Sequence, residues 1–298
     1  MEPASELTPE LRAFVEFVAK KGRELYRDLP WRRTYDPYAI WISEVMLQQT
    51  QVSRVDGRWQ RWLERFPTVD ALAAAAPSDV LEEWQGLGYN RRALSVHRAA
   101  QAISEAGGVF PQDPKELVKL PGIGPATAAG IRAFAFNLHG VYLETNVRTV
   151  FLHELYPQAE GVPDSELVPL VELTCPASVA DAAGADETEL TPRSWYYALL
   201  DYGAYLKKTI PNPSRRSKSH VKQSRFEGSH RQKRAELLRV LLAHKDEGGA
   251  VFETLHQELC QIEVNAGRET LDEQVTLGLL EELAKEGFCQ KNDEYWLP

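Results

Sequence analysis

Two glutamates in apolar surroundings are the residues of this chain best suited to move a proton and to bear charge. Glu44 lies in the run Ile40-Trp41-Ile42-Ser43-Glu44-Val45-Met46-Leu47, with apolar residues on nearly every side. A carboxyl held there loses water, which raises its pKa toward the range where it donates a proton near neutral pH. The alternative is a solvated glutamate at the edge of an amphipathic helix. Glu144 lies far downstream, just beyond an apolar helical stretch. One acid suited to proton donation and another to steadying a cation can together break a glycosidic bond through an oxocarbenium-like state.

Between them runs Leu120-Pro121-Gly122-Ile123-Gly124-Pro125-Ala126-Thr127, followed at helical spacing by Ile131, Phe134, Ala135 and Leu138. Gly122 and Gly124 are expected to let the backbone turn and approach a ligand closely, and Pro125 suits the first position of a helix. Backbone amides at such a helix start form an anion site without any basic side chain, which suits a phosphate backbone. A plain helix–helix turn would carry the same punctuation. A polar string, Gln48-Gln49-Thr50-Gln51, interrupts the apolar pattern after Leu47. It reads either as a surface facing nucleic acid or as a solvated helix end.

These residues need a scaffold, and the pattern supplies a mainly α one. Helices are expected over about 8–26, 38–48, 51–66, 78–85, 91–106, 114–119, 125–137, 146–156 and 194–206. A stretch rich in proline, serine and arginine, 211–219, reads as a linker or exposed loop. Beyond it, helices near 230–244, 251–263 and 270–286 precede an alternating ending around Asn292-Asp293, a β-hairpin. Three helices and a hairpin suggest a small winged-helix-like domain over 230–298.

The 298 residues are enough for one large or two moderate domains, and no apolar run approaches membrane-spanning length. Three cysteines, far apart and odd in number, suit a reducing cytoplasm, and neither they nor the seven histidines show metal-ligand spacing. The net charge of −9 hides a segregation. Ten Lys/Arg fall between Lys207 and Arg234 against the single acid Glu227, whereas 149–192 holds nine acids and no Lys or Arg. A polyelectrolyte responds to the local basic stretch, including Arg215, Arg216 and Lys218, and not to the total. The alternative for 212–229 is a solvated linker.

The segment Leu29-Pro30-Trp31, the run Trp41–Val52, Gly86-Leu87-Gly88-Tyr89 and the Leu120–Thr127 hairpin resemble the MutY-type adenine DNA glycosylases. These belong to the helix-hairpin-helix superfamily that includes endonuclease III. The likeness covers roughly 8–206 and fades beyond. It implies a two-lobed, base-flipping glycosylase fold, with one lobe over about 30–143 and another joining 1–29 to 144–210. A basic linker, 211–229, would follow. By the same likeness Glu44 is the general acid, Glu144 steadies the sugar cation and Asn146 supports both. Trp31, Arg32, Leu47 and Asp201 would line the base pocket, although core packing explains Trp31 and Leu47 equally well. Gln48, Gln49, Thr50 and Tyr89 would probe the duplex, while Gly122, Gly124, Ala126 and Thr127 would hold its backbone.

Departures from that pattern are informative. The family's D-x-N-V is here Glu144-Thr145-Asn146-Val147, one methylene longer at the carboxylate. The lysine nucleophile of endonuclease III-type lyases, L-P-G-x-G-x-K-T, is replaced by Ala126. The cysteines of the family's iron–sulfur loop fall on Lys207, Ser214, Ser217 and Gln223. Fewer than seventy residues follow Arg231, too few for the larger domain that reads 8-oxoguanine. The expectation is a monofunctional, cofactor-free and metal-free glycosylase, a cytoplasmic monomer acting on mispaired adenine in double-stranded DNA. A glycosylase for hypoxanthine, uracil or mismatched thymine, and a non-catalytic mismatch-binding protein, are the alternatives. The purified protein is expected to contain no stoichiometric iron, and elemental analysis that found about four irons per chain would refute this.

Overall fold

The computed structural model describes residues 7–179, 189–219 and 224–298, so Gln223, named above, lies outside the described residues. Helices α1 (Pro9–Glu24), α2 (Pro37–Leu47), α3 (Val52–Val55), α4 (Arg58–Arg65), α5 (Val69–Ala74), α6 (Pro77–Glu83) and α7 (Arg91–Glu105) come first. Then follow α8 (Pro114–Leu117), α9 (Pro125–Phe136), α10 (Thr145–Glu154), α11 (Asp164–Thr174), α12 (Pro192–Thr209) and α13 (His230–Ala243). The chain ends with β1 (Ala250–Val251), α14 (Phe252–Asn265), α15 (Glu273–Lys285), β2 (Gln290–Asn292) and β3 (Tyr295–Leu297). The expected mainly α class holds. Many helices open on proline, whose fixed φ suits a first turn and whose missing N–H costs nothing there.

Two expectations fail locally. The single helix over 51–66 is broken, because Gly57 turns left-handed at φ 78° and starts α4 afresh. The Gln60 side chain accepts from the Gly57 amide at 2.9 Å and secures that restart. Helix α11 was not expected at all. Its run carries Pro169, which reads as a breaker, yet Leu167 and Val171 bury against the core and hold it helical.

The described residues fall into two compact units, one within Met1–Val45 and Phe110–Lys222, the other within Met46–Val109 and Gln223–Pro298. These bounds cut across the expected lobes. In the first unit α12 is the central strut, packed against α1 and α10. Trp195, Tyr196 and Leu199 on it are fully buried, and Phe14 meets Phe151 and Trp195 edge-on. Arg193, at its start, donates to the carbonyls of Phe134, Arg32 and Thr34, tying three segments together. Gly203 lies so close to the Asn146 carbonyl that an added Cβ would stand 2.3 Å from it. That approach sets α12 directly on the first turn of α10.

Within the same unit the 211–219 stretch is folded, not an exposed linker. Pro213–Arg216 forms a 3-10 turn against α10, with Ser214 and Ser217 buried. Arg216 turns inward and donates to Leu152 O at 2.9 Å and to Tyr156 O and Pro157 O at 2.6 Å. Carbonyls near the end of α10 lack intrahelical donors, and a cation there also meets the negative end of the helix. Val162 and residues 216–218 exchange backbone bonds, Val162 N to Arg216 O and Lys218 N to Val162 O. Arg216 is therefore corrected from a DNA-facing residue to a structural one, whereas Arg215 and Lys218 are exposed.

In the second unit Trp62 and Trp84 pack edge-on at 5.5 Å, and Leu72, Leu81 and Val96 are buried as well. The C-terminal part runs helix, strand, helix, helix, hairpin, with antiparallel sheet order β1-β3-β2. That is the connectivity of a winged helix, and Trp296 at its centre pairs with Ala250 and Lys291. It does not stand apart: Lys245 bonds Asp79 and Glu82 at 2.9 and 2.7 Å. Replacing Arg216 with methionine is expected to lower stability by about 2–4 kcal/mol in denaturant unfolding, because three carbonyls lose a charged donor. The same change at exposed Arg215 should stay within about 0.5 kcal/mol.

Candidate active site

Glu44, Tyr142 and Glu144 come together in the first unit. Glu44 projects from α2 between fully buried Ile40, Trp41, Ile42 and Met46. It lies against α9 at Gly130, where an added Cβ would stand 2.4 Å from Glu44 Oε2 and 2.9 Å from the Tyr142 ring. Only glycine leaves room for the carboxyl. The residue is partly exposed, yet its carboxyl is deeply surrounded by protein. Loss of water pushes its pKa up to about 8; a hydrogen bond from Tyr142 opposes the rise and the Glu144 charge adds to it.

Tyr142 is buried and held on three sides. Its ring meets Phe134 and Tyr196 edge-on at 5.3 Å each, and its amide donates to the Tyr196 hydroxyl at 3.1 Å. The sequence reading missed it. Its one signal is position, two residues before Glu144, the spacing that returns a side chain to the same side of an extended chain. Burial drives its phenol well above the ordinary range, so it stays a proton donor to Glu44.

Glu144 occupies the N-cap of α10, where Oε1 accepts from the amides of Asn146 at 2.6 Å and Val147 at 3.2 Å. Burial raises its pKa, while Lys207 and the amides of residues 145–147 pull it back. Lys207 stands one turn beyond Gly203 on α12, and its own pKa is lowered by burial. Asn146 sits in the first turn of α10, beneath Gly203. The two carboxyls thus meet different surroundings, one a phenol and hydrocarbon, the other amides and an ammonium.

The hairpin keeps its expected shape with one correction. Gly122 is left-handed at φ 75°, but Gly124 is extended and needs no glycine for its conformation. Its neighbourhood is open, nothing lying within 4 Å of an added Cβ. Gly124 caps α9 without a side-chain acceptor, Ala126 is exposed and Thr127 is buried.

The expected base-reading pair is also differently placed. Arg32 and Asp201 are buried and bond each other through two contacts of 2.7 and 2.8 Å. The Arg27 amide and guanidinium take the remaining carboxylate capacity, and the Arg32 guanidinium lies 4.3 Å from the Tyr197 ring centre. Such a closed pair leaves little for a base edge to bond. Trp31 is buried beside it in the chain. Leu47, Gln48, Gln49, Thr50 and Tyr89 belong to the second unit, where Gln49 and Tyr89 are exposed and left-handed, at φ 54° and 51°.

The positions of the family's cluster ligands do not fit a cluster. An ammonium at 207 and buried hydroxyls at 214 and 217 offer no thiolate, and Arg216 fills the turn between them. Among the described residues no group of three His, Cys, Asp or Glu could hold a metal, and no helix is long and apolar enough to cross a membrane.

Residues 42–191 match the HhH-GPD superfamily base excision DNA repair proteins. An adenine DNA glycosylase of Mycolicibacterium smegmatis is 37% identical over 223 residues, 72% of this chain and 75% of its own. One from Mycobacterium tuberculosis is 36% identical over 234 residues, 73% and 75% of the two chains. In fold, a thermostable thymine-DNA glycosylase superposes with a TM-score of 0.57 at 22% identity, covering 68% of this chain and 90% of that one. A non-covalent endonuclease III–DNA complex gives 0.51 at 18%, covering 76% and 94%. The chain belongs to the HhH-GPD superfamily of base excision DNA repair proteins.

Burial of Glu44 has a cost that can be measured. Its carboxyl titrates near 8 in the folded chain and near 4.5 when unfolded, so between these values the folded state holds the extra proton. Stability must then fall as pH rises from about 4.5 through about 8. Glu44→Gln does not titrate, so it should be more stable than the wild type at pH 8, by on the order of several kcal/mol, with the gap closing toward pH 4.5. Chemical denaturation across that range reads the difference directly.

Proposed function

We propose that this protein is a monofunctional DNA glycosylase that hydrolyses adenine from a mispair in duplex DNA. The observation that carries the reading is the unequal carboxyl pair: Glu44 is raised by burial with one phenol beside it, whereas at Glu144 the α10 amides and Lys207 oppose the rise that burial causes. Relatives of this chain over most of its length carry the name adenine DNA glycosylase, which favours adenine as the base.

In this reading the start of α9, with Gly122, Gly124 and Ala126, takes a phosphate on its amides. Arg215 and Lys218 add local positive charge, so affinity falls steeply with salt. Gln48, Gln49, Thr50 and Tyr89 engage the duplex around the opposite base. Trp31 lines the pocket for the flipped base, with the Arg32–Asp201 pair beside it in support. Glu44 gives its proton to a ring nitrogen of the purine, the bond from C1′ to the base breaks, and Glu144 steadies the sugar cation, with Asn146 in support. Water then adds to C1′ and its proton returns to Glu44. With alanine at 126 the hairpin offers no amine for a Schiff base, so the product is an intact abasic strand. No cofactor takes part, and the protein works as a monomer.

Single-turnover assays on duplexes with adenine opposite 8-oxoguanine or guanine, hypoxanthine opposite thymine, and uracil or thymine opposite guanine test this. Purine release is expected, with only a weak advantage for 8-oxoguanine; exclusive pyrimidine excision overturns the substrate, and no excision favours a binding protein. Glu44→Gln should lose about 10²–10⁴-fold in rate while still binding duplex. Because the acid must be protonated, the wild-type rate should hold through neutral pH and decline above about 8.

A further inference from the structure

Two strained residues of the second unit share one fastener. Gln49 and Tyr89 are non-glycine residues with left-handed backbones, and they lie far apart in sequence. Arg92, in the first turn of α7, reaches both loops. Its Nη1 donates to Gln48 O at 2.6 Å and Met46 O at 3.3 Å. Its Nη2 donates to Gly88 O at 3.0 Å, Thr50 Oγ1 at 3.2 Å and Leu87 O at 3.3 Å. The guanidinium also lies 5.3 Å from the ring centres of both Trp84 and Tyr89. One planar cation thus serves five acceptors on two loops, a geometry a lysine cannot reproduce.

The neighbouring Arg91 ties the same helix start to the C-terminal domain. It bonds Glu286 through two contacts of 2.5 and 2.6 Å, and Glu286 is also held by Arg234 at 2.8 Å. The charge of that domain argues against its reading DNA. Residues 230–298 carry fourteen Asp/Glu against eight Lys/Arg. Helix α15 bears Glu273, Glu281 and Glu282, and the β2–β3 turn bears Asp293 and Glu294. Such surfaces repel phosphates.

We infer that Arg92 is a positioning residue for opposite-base recognition: it fastens Gln49 and Tyr89 into one preformed wedge, which the C-terminal domain braces through Glu286. Left-handed conformers of such residues are disfavoured unless the surroundings enforce them, so the fastener keeps the wedge populated before DNA arrives. The inference rests on the glycosylase reading for its consequence, though the fastening itself is a property of the free protein.

The test uses the full-length chain with Arg92→Lys and Glu286→Gln. Single-turnover release is measured from adenine opposite guanine and from adenine opposite an abasic site, where no base is present to probe. Arg92→Lys should lose roughly tenfold or more on the first and stay within about twofold on the second. Glu286→Gln should lose in the same sense, by about threefold, and it stands in if Arg92→Lys fails to fold. Hydrogen exchange at the amides of 48–50 and 87–89 should accelerate in both variants. Equal losses on the two duplexes, or unchanged exchange in Arg92→Lys, overturn the fastener; a Glu286→Gln protein matching wild type overturns the brace. Should the wild type release no adenine, the functional reading fails and hydrogen exchange alone decides the fastening.

Discussion

The first unit is organised around keeping one carboxyl dry. Glu44 can hold a proton at neutral pH only because α9 comes close enough to exclude water, and α9 comes that close only because residue 130 has no side chain. The constraint propagates. Phe134, one turn along α9 from Gly130, stacks on Tyr197 at 4.5 Å and meets Tyr142 edge-on, so the helix that dries Glu44 also orients its phenol partner. Arg193 then fixes the last turn of α9 to the start of α12. Aromatic packing and one buried guanidinium thus serve a proton rather than stability alone.

The 213–216 turn is held by packing and hydrogen bonds against α10. A short surface turn without such ties would fray. The 213–216 turn avoids this by sending Arg216 into the end of α10 and pairing backbone with Val162. Drawing an arginine inward is costly unless its donors are met, and three carbonyls meet Nη1 and Nη2. That solution removes one basic residue from the surface, which leaves Arg215 and Lys218 as the outward charges of the turn.

Much of this was legible in the sequence, for reasons that are local. Apolar neighbours announced the burial of Glu44, proline marked helix starts, and the alternating C-terminal ending announced β2 and β3. What escaped depends on partners distant along the chain. Arg32 and Asp201 looked like free polar groups because nothing local shows that they consume each other. Arg216 looked like part of a basic patch because its acceptors lie some sixty residues back. Tyr142 and Gly130 matter through a meeting of three segments that no window of sequence contains. Helix α11 escaped for the opposite reason, a local breaker overridden by burial.

The division of labour between the two acids follows from what replaces water around each. Both carboxyls are desolvated, and both are pushed toward the neutral form. Around Glu44 the donor that opposes the rise is a phenol, and burial outweighs it. Around Glu144 the N-terminal amides of α10 and the ammonium of Lys207 all favour charge. The extra methylene relative to the aspartate of similar proteins is absorbed by that cap, since the longer side chain folds back onto the amides of Asn146 and Val147. A carboxylate so tethered is fixed in place before any cation forms beside it, which is the condition under which a fixed charge is most effective. Lys207, itself buried, draws the Glu144 carboxyl back against the rise that burial causes, so one residue of α12 tempers the second acid.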